Sequence, residues 1–210
     1  MSLKLKICGI RDNLEEVMGL KPDYLGFIFY EKSPRFYNME ALEITEGIKR
    51  VGVFVNEELE TILKKVGTYN LDMVQLHGDE NPQFCEELRE EDIEVIKVFR
   101  VDETFDFDSV HAFEKVADYY LFDTRTEVYG GSGKRFDWSL LNAYDQHKPF
   151  FLSGGLDEES IDSIRLLKTM NIHALDLNSG VEKSPGLKDT EKIGNIIQKL
   201  NQLNHEVFSR

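Results

Sequence analysis

Apolar residues along this chain gather in eight short runs, separated by longer segments of mixed polarity. The runs are rich in β-branched and aromatic residues, which favours strands. The segments between them show the spacing or the start signals of helices. The pattern therefore predicts eight strands that alternate with eight helices. The eight runs are LKIC, DYLGFIF, RVGVFV, LDMVQLH, EVIKVF, YYLFD, PFFLSGG and ALDLNSG.

Three of the intervening segments carry a recognisable helix start. Asp12 and Glu15 have the spacing of a capping pair. Asn56 precedes EELETILKKV, and Asp157 precedes EESIDSIRLLK. Because Asp and Asn side chains accept hydrogen bonds from the free amides of a first helical turn, we expect helices to begin at these three places.

The length of the chain selects among the arrangements of alternating strands and helices. Dividing 210 residues by eight leaves about 26 residues for each unit, close to the minimum for a strand, a helix and two turns. We therefore expect residues 1–210 to form one domain, a closed parallel (β/α)₈ barrel. An open doubly wound sheet is the alternative. ICGIRD follows the first strand where a dinucleotide-binding sheet would have GxGxxG, but this leaves a flavodoxin-like sheet possible.

Composition and charge restrict the class of partner. Hydrophobic residues make up 41% of the chain and charged residues 30%, which is typical of a globular protein. The formal charge is -14 with no block of basic residues, which argues against nucleic acid or a membrane as a partner. The first residues, MSLKLKICG, are too charged for a signal peptide, so a cytoplasmic location is expected. Two cysteines make a disulfide framework improbable.

Chemistry in a parallel barrel takes place at the carboxyl ends of the strands, so the residues there are the candidates. Cys8 ends the first run before a glycine, which would place its sulfur at the barrel mouth; a buried, inert thiol is the alternative. Asp123 closes the sixth run, where a desolvated carboxyl group can keep a proton and act as an acid. Asp176, in the eighth run, has the same two interpretations as Asp123: a group that takes part in the chemistry, or a residue that only caps a helix or forms a turn.

Two glycine-bearing turns, SGGL and NSGVE, follow the seventh and eighth runs. Glycine lets backbone amides approach a ligand, and turns in these two positions recur as phosphate sites in such barrels. Each turn alone is explained by a tight backbone conformation. Both together favour phosphate, which a net acidic protein can hold through amides.

Arg35 and His77 also follow predicted strands. Arg35 comes after Ser33-Pro34, and its guanidinium group could hold a carboxylate through two hydrogen bonds. His77 has no second ligand at metal-binding spacing, so we interpret it as a polar lining group and expect no metal.

The run GGSGKR, residues 130–135, superficially resembles a nucleotide-binding loop. Aligned on GxxxxGK followed by Ser or Thr, it has Val128 in place of the first glycine and Arg135 in place of the hydroxyl residue. We therefore interpret it as the tip of a long loop. A thiol, a carboxyl group and a phosphate site together indicate proton transfer on a sugar phosphate, either an isomerisation or an epimerisation.

Eight strings in order resemble the phosphoribosylanthranilate isomerase family of tryptophan biosynthesis, between about residues 4 and 195. Asn178 and Arg11 depart from it, because the family often has serine and threonine there. The strings are KICGIRD, GFIFYEKSPRF, VGVFVN, VQLHGDE, LFDT, GGSGKRFDW, FLSGGL and LDLNSGVEKSPGLKD.

The resemblance implies an Amadori rearrangement of N-(5-phosphoribosyl)anthranilate, a small-molecule substrate, without a cofactor. It implies that Cys8 is the general base and Asp123 the general acid. Arg35 would anchor the anthranilate carboxylate and Asp176 would be a second substrate contact, with GGSGKR in a lid. The phosphate cradle would comprise Gly154, Gly155, Ser179 and Gly180.

Two rival functions and the assembly state stay open at this point. Indoleglycerol phosphate synthase is a related phosphate-binding barrel, but its chemistry uses lysines at strand ends, whereas Lys97 lies inside its run and Lys4 and Lys6 sit deeper than Cys8. A non-catalytic barrel that binds a sugar phosphate is the second rival. We expect a monomer, with a homodimer as the alternative.

Overall fold

The computed structural model describes residues 2–40, 43–124 and 137–208. The run GGSGKR and the lid expected around it fall within 125–136 and lie outside the described residues.

Eight parallel strands close into a barrel in the order of the chain. Each of the eight apolar runs supplies one strand, which confirms the predicted parallel (β/α)₈ barrel class. The strands are β1 (Lys4–Cys8), β2 (Tyr24–Ile28), β3 (Lys49–Phe54), β4 (Met73–Leu76), β5 (Glu94–Val101), β6 (Tyr119–Thr124), β7 (Phe150–Leu152) and β8 (Ile172–Leu177).

Side chains at alternate strand positions fill the barrel in layers. The innermost apolar cluster includes Met73 of β4 and Ala174 of β8. Two residues further along the same strands stand Gln75 and Asp176, both buried, at the level of the buried Lys6 of β1. A polar layer therefore lies between an apolar plug and the carboxyl-terminal rim. The full apolar cluster is Tyr24, Val51, Met73, Ile96, Val98, Leu121, Phe151 and Ala174.

Four α-helices pack around the barrel: α1 (Leu14–Met18), α2 (Leu59–Tyr69), α3 (Pro82–Glu90) and α4 (Thr190–Leu203). A π-helical turn, Asn204–Phe208, continues α4. An antiparallel hairpin of β9 (Glu182–Ser184) and β10 (Leu187–Lys188) lies between β8 and α4.

A helix was predicted after every strand, but among the described residues no α-helix follows β2, β5, β6 or β7. Between β2 and β3 the described residues contain no helix. After β5, β6 and β7 the chain forms 3₁₀ helices, at Phe107–Phe113, Trp138–Ala143 and Ile161–Leu167, and after β8 a shorter one at Ser179–Val181. In the helix after β7 the buried residues are Ile161, Ile164 and Leu167. This spacing of three matches the three residues per turn of a 3₁₀ helix, which turns each of these side chains toward the barrel.

Two of the three expected helix starts are also wrong. Asp12 pairs with the adjacent Arg11, and α1 begins one residue later, after Asn13. The Asn56 side chain accepts a hydrogen bond from the amide of Asp79, while Glu58 occupies the position before α2. Asp157 accepts from the amides of Glu159 and Ser160, so it caps the turn that leads into the 3₁₀ helix.

No helix in the described part of the chain is long and apolar enough to cross a membrane.

Candidate active site

The thiol of Cys8 lies at the carboxyl-terminal end of β1, where the sequence predicted it, and the residue is only 3% exposed. It pairs in register with Gly26 of β2. A Cβ atom at Gly26 would lie 2.8 Å from Cys8 Sγ, so this glycine makes room for the sulfur inside the rim. Its buried apolar neighbours are Ile28 and Val53.

A buried ammonium group lies beneath this thiol. Lys6 Nζ donates to both carboxylate oxygens of Asp176 at 3.0 Å and to Gln75 Oε1 at 2.6 Å. Burial favours the neutral amine, but Asp176 and Cys8 outweigh it and raise the pKa of Lys6. Lys6 therefore stays charged. Asp176, expected to contact substrate, forms an ion pair with Lys6, and its side chain is 5% exposed.

The ionisation of Cys8 depends on this surrounding charge. Burial raises the pKa of the Cys8 thiol, and the Lys6 ammonium opposes that effect. Asp176 raises the pKa further, whereas Lys188 lowers it. A thiolate on Cys8 is consequently stabilised by two cations that approach it from different elements, β1 and β10.

Asp123 lies on the same rim, near the end of β6, with its side chain 17% exposed. Its Oδ1 accepts a hydrogen bond from the Thr124 amide at 2.8 Å. Its Oδ2 lies 3.5 Å from His77 Nε2, and His77 Nδ1 lies 3.1 Å from Gln75 Nε2. Since Gln75 also accepts from Lys6, a continuous row of polar side chains connects the neighbourhood of Cys8 with Asp123.

Arg35 reaches the site from the loop after β2 and is held by an acidic residue from the hairpin. Its Nε donates to both oxygens of Glu182 at 2.9 and 3.0 Å, and its Nη2 donates to Oε2 at 2.7 Å. The residue is 7% exposed. Glu182 therefore fixes one edge of the guanidinium group, and Nη1 lies on the other edge.

Lys188 completes this group and was not singled out from the sequence. Its Nζ donates to Glu182 Oε1 at 2.8 Å and to Asn178 Oδ1 at 3.1 Å. Burial lowers the pKa of Lys188, while the Glu182 carboxylate acts in the opposite direction. Asn178, one of the two departures from the family pattern, thus receives a hydrogen bond from a buried lysine.

Arg11, the other departure, connects three segments of the rim. Its Nη1 donates to the carbonyl of Pro34, next to Arg35, at 3.0 Å. Its Nη2 donates to the carbonyl of Pro185 at 3.4 Å, and its own amide donates to Gly186 O at 3.0 Å. The loops after β1 and β2 and the β9–β10 hairpin are therefore held together by one side chain.

The two glycine turns lie against each other. Gly154 and Gly155 have positive φ angles of 84° and 69°, and a Cβ at Gly154 would overlap the Thr124 hydroxyl. A Cβ at Gly180 would overlap the carbonyl oxygen of Leu156. Within the described part of the chain, no residue accepts a hydrogen bond from the amides of Gly154 or Gly155.

Among the described residues, no three His, Cys, Asp or Glu side chains form a group that could hold a metal ion. Lys97, considered above for a lysine-dependent reaction, donates to Glu80 Oε2 at 2.8 Å and to the Gly78 carbonyl at 2.9 Å. It alternates with the inward-facing Ile96 and Val98.

Comparison with known proteins identifies similar chains along almost the whole sequence. Residues 5–199 match the family model described as N-(5'phosphoribosyl)anthranilate (PRA) isomerase. A curated relative, N-(5'-phosphoribosyl)anthranilate isomerase of Parabacteroides distasonis, is 44% identical over 204 residues, which cover 93% of this chain and 92% of the relative.

Solved structures agree with the sequence comparison. A structure of monomers generated from the dimeric enzyme of Thermotoga maritima has a TM-score of 0.77 and 34% identity, covering 95% of this chain and 98% of that one. A phosphoribosylanthranilate isomerase in complex with reduced 1-(o-carboxyphenylamino)-1-deoxyribulose 5-phosphate has a TM-score of 0.80 and 35% identity, covering 96% of this chain and 100% of that one.

Proposed function

Because this chain belongs to the N-(5'-phosphoribosyl)anthranilate isomerase family, we propose that Cys8 and Asp123 are the general base and the general acid of its reaction. The enzyme is an aldose–ketose isomerase of tryptophan biosynthesis. It converts N-(5'-phosphoribosyl)anthranilate into 1-(2-carboxyphenylamino)-1-deoxyribulose 5-phosphate by an Amadori rearrangement.

The reaction needs one proton donated and one removed. Asp123 gives its proton to the ring oxygen, the C1′–O bond breaks, and the nitrogen lone pair forms a C1′=N double bond. Cys8, as thiolate, then takes the proton from C2′. The C2′–H electrons form a C1′=C2′ double bond while the electrons of the C1′=N double bond return to nitrogen, and the resulting aminoenol tautomerises to the ketone. These steps are proton transfers, so we propose no cofactor.

One observation supports this assignment of base and acid most directly. The Cys8 thiol and the Asp123 carboxyl group lie on the same rim of a closed barrel, at the ends of β1 and β6. In a parallel barrel with eight strands, β1 and β6 are separated by β7 and β8. One ribose ring held between them would present its two faces to the two groups.

Binding of the two charged ends of the substrate is assigned to separate parts of the rim. The free edge of Arg35 suits the anthranilate carboxylate, because two parallel N–H groups match two carboxylate oxygens. The amides of the two glycine turns, with Gly154, Gly155, Ser179 and Gly180, suit the phosphate. His77 lines the substrate space beside Asp123, and Asp176, which is ion-paired with Lys6, is a second substrate contact.

A fluorescence assay tests the function directly. N-(5'-phosphoribosyl)anthranilate fluoresces and its isomerisation quenches the signal, so freshly prepared substrate should lose fluorescence when the protein is added. A synthase would leave this substrate unchanged and would convert the rearranged 1-deoxyribulose 5-phosphate compound into an indole product. Binding of substrate with no turnover would indicate a sugar-phosphate-binding protein.

Three further properties belong to the same proposal. Residues 1–210 act as one catalytic domain. The protein acts in the cytoplasm, where its two free cysteines would remain reduced. It acts as a monomer, with a homodimer as the alternative. Sedimentation measurements at several protein concentrations distinguish the two states.

A further inference from the structure

Three polar side chains, two of them fully buried, form a row across the barrel, and neither proton transfer needs them directly. The row runs from Lys6 to Gln75 to His77 and ends at Asp123. Lys6 and Gln75 are 0% and 1% exposed, and the His77 side chain is 12% exposed. The four residues come from β1, β4, the end of β4 and β6, so the row spans the barrel.

The direction of each hydrogen bond in this row is fixed by chemistry. An ammonium group can only donate, so the Gln75 atom 2.6 Å from Lys6 Nζ must be its oxygen. The Gln75 amide nitrogen therefore faces His77 Nδ1, at 3.1 Å. Because an amide nitrogen only donates, Nδ1 must accept. In neutral His77 the hydrogen is then on Nε2, the atom that faces Asp123 Oδ2 at 3.5 Å.

We propose that His77 is a positioning residue for Asp123 and that Lys6 and Gln75 set the imidazole tautomer which makes this possible. The inference rests on the proposed role of Asp123 as general acid. Nε2 lies 3.5 Å from Oδ2 and the Thr124 amide donates to Oδ1, so each carboxyl oxygen of Asp123 has a nitrogen donor beside it.

This tautomer serves the acid in two ways. Nε2 already carries a hydrogen, so it cannot take the proton that Asp123 must deliver to the substrate. After the transfer, the N–H group can donate to the new carboxylate and stabilise it. The opposite tautomer would place a lone pair toward Asp123, and the carboxyl proton would be lost to the ring instead.

The tautomer itself can be measured on the unmodified protein. Nitrogen chemical shifts of His77 in ¹⁵N-labelled enzyme at about pH 8, where an unperturbed imidazole is neutral, should show hydrogen on Nε2 and none on Nδ1. His77→Gln identifies the signals of this residue. Hydrogen on Nδ1 of neutral His77 overturns the proposal without any variant having to fold.

Gln75→Glu tests the row with almost no change in shape. The substituted carboxylate still accepts from Lys6, but it can only accept from His77, so Nδ1 must gain a hydrogen. If the ring stays neutral, the Nε2 lone pair then faces Asp123 and can take its proton. If the ring becomes an imidazolium, its positive charge favours the ionised form of Asp123. In both cases Asp123 is a poorer acid. We expect kcat to fall at least about tenfold with KM changed by less than about threefold.

Replacement of His77 gives an independent comparison. His77→Gln retains an N–H group in the place of Nε2–H and should keep more activity than His77→Leu, by about tenfold. His147→Gln, at a side chain 62% exposed, is the matched control and should have normal kinetics. Equal activity of His77→Gln and His77→Leu would contradict a donor role.

Asp123→Asn separates failure of this inference from failure of the assigned function. In that background, Gln75→Glu should cause no further loss, because the group that the row serves is already absent. Full turnover of Asp123→Asn would refute the role of Asp123 as the acid. If Asp123→Asn turns over slowly but Gln75→Glu is fully active, the proposed role of Lys6, Gln75 and His77 is refuted, while the role of Asp123 as the acid stands.

Discussion

We expect individual residues at the rim to have separable effects on chemistry and on binding. If Cys8 and Asp123 carry the proton transfers, removal of either group should slow the chemical step. Cys8→Ala and Asp123→Asn are each expected to lower kcat by about a hundredfold or more. Steady-state fluorescence kinetics measure this, and full turnover in either variant would exclude that residue from the role assigned to it.

Arg35 should affect binding more than turnover. Its guanidinium group would contact the anthranilate carboxylate equally in the ground state and in the transition state. Arg35→Ala should therefore mainly raise KM. The same kinetic assay, run to saturating substrate, gives both constants. A lower kcat with unchanged KM would count against a binding role.

The residue scale also shows what the sequence could not provide. Cys8 and Asp123 were found because each ends an apolar run, a local signal. Glu182 is separated by 147 residues from Arg35, and Lys6 by 69 from Gln75. Contacts between residues so far apart in the sequence cannot be recognised from the local spacing of residue types. Asp176 was recognised as a site residue, but its engagement by Lys6 became visible only in three dimensions.

At the scale of elements, a buried ion pair links β5 to the loop before α3. The side chains of Lys97 and Glu80 are 4% and 3% exposed, and Glu80 also accepts from the amides of Asn56 and Gly78. Lys97→Met would leave a buried carboxylate without its cation. We expect a loss of about 3–5 kcal/mol of unfolding free energy, measured by urea denaturation.

The exposed pair of Lys49 and Glu94 provides a matched control for that experiment. Its side chains are 46% and 42% exposed, and its N–O distance, 2.8 Å, equals that of the buried pair. Lys49→Met should cost less than about 1 kcal/mol, because water screens the interaction. Similar losses in the two variants would show that burial does not determine the contribution.

The helices also show where sequence patterns succeed and fail. Amphipathic segments such as α2 and α4 were predictable from their spacing. The 3₁₀ helices after β6 and β7 have buried apolar residues every three positions, a short pattern that also fits one face of an α-helix over so few residues. Their type therefore depends on packing against the barrel.

At the scale of the whole molecule, His173 makes stability depend on pH. It lies near the amino-terminal ends of the strands, where its Nε2 lies 2.7 Å from the Tyr24 hydroxyl and its ring lies 4.4 Å from that of Tyr119. Burial, with smaller contributions from Lys4 and Lys49, lowers the pKa of His173 from 6.5 to about 4.

The sign of this dependence follows from proton uptake. Between pH 6.5 and about 4 the unfolded chain binds a proton at His173 that the folded chain does not. The contribution to stability is complete above pH 6.5 and is lost as the pH falls through this window. Thermal unfolding should therefore show a smaller loss between pH 7 and about pH 4.5 in His173→Phe than in the unmodified protein. Equal losses of thermal stability in the variant and in the unmodified protein would show that His173 is not the source of the pH dependence.

The whole fold was the most predictable level, because eight runs in 210 residues leave room for little besides a closed barrel. Closure depends on strand number and on the length of each unit, both of which can be counted along the chain. The layered interior was less predictable, since charged residues such as Lys6 within a strand look like interruptions until their partners on other strands are known.

Arg11 has a practical consequence for engineering. Its hydrogen bonds to Pro34, Pro185 and Gly186 make three separate stretches of sequence behave as one unit. A chimaera that exchanges only one of these stretches with a relative would disturb the loop and the hairpin that position Arg35. A chimaera should therefore exchange all three stretches together, although they are separate in the sequence.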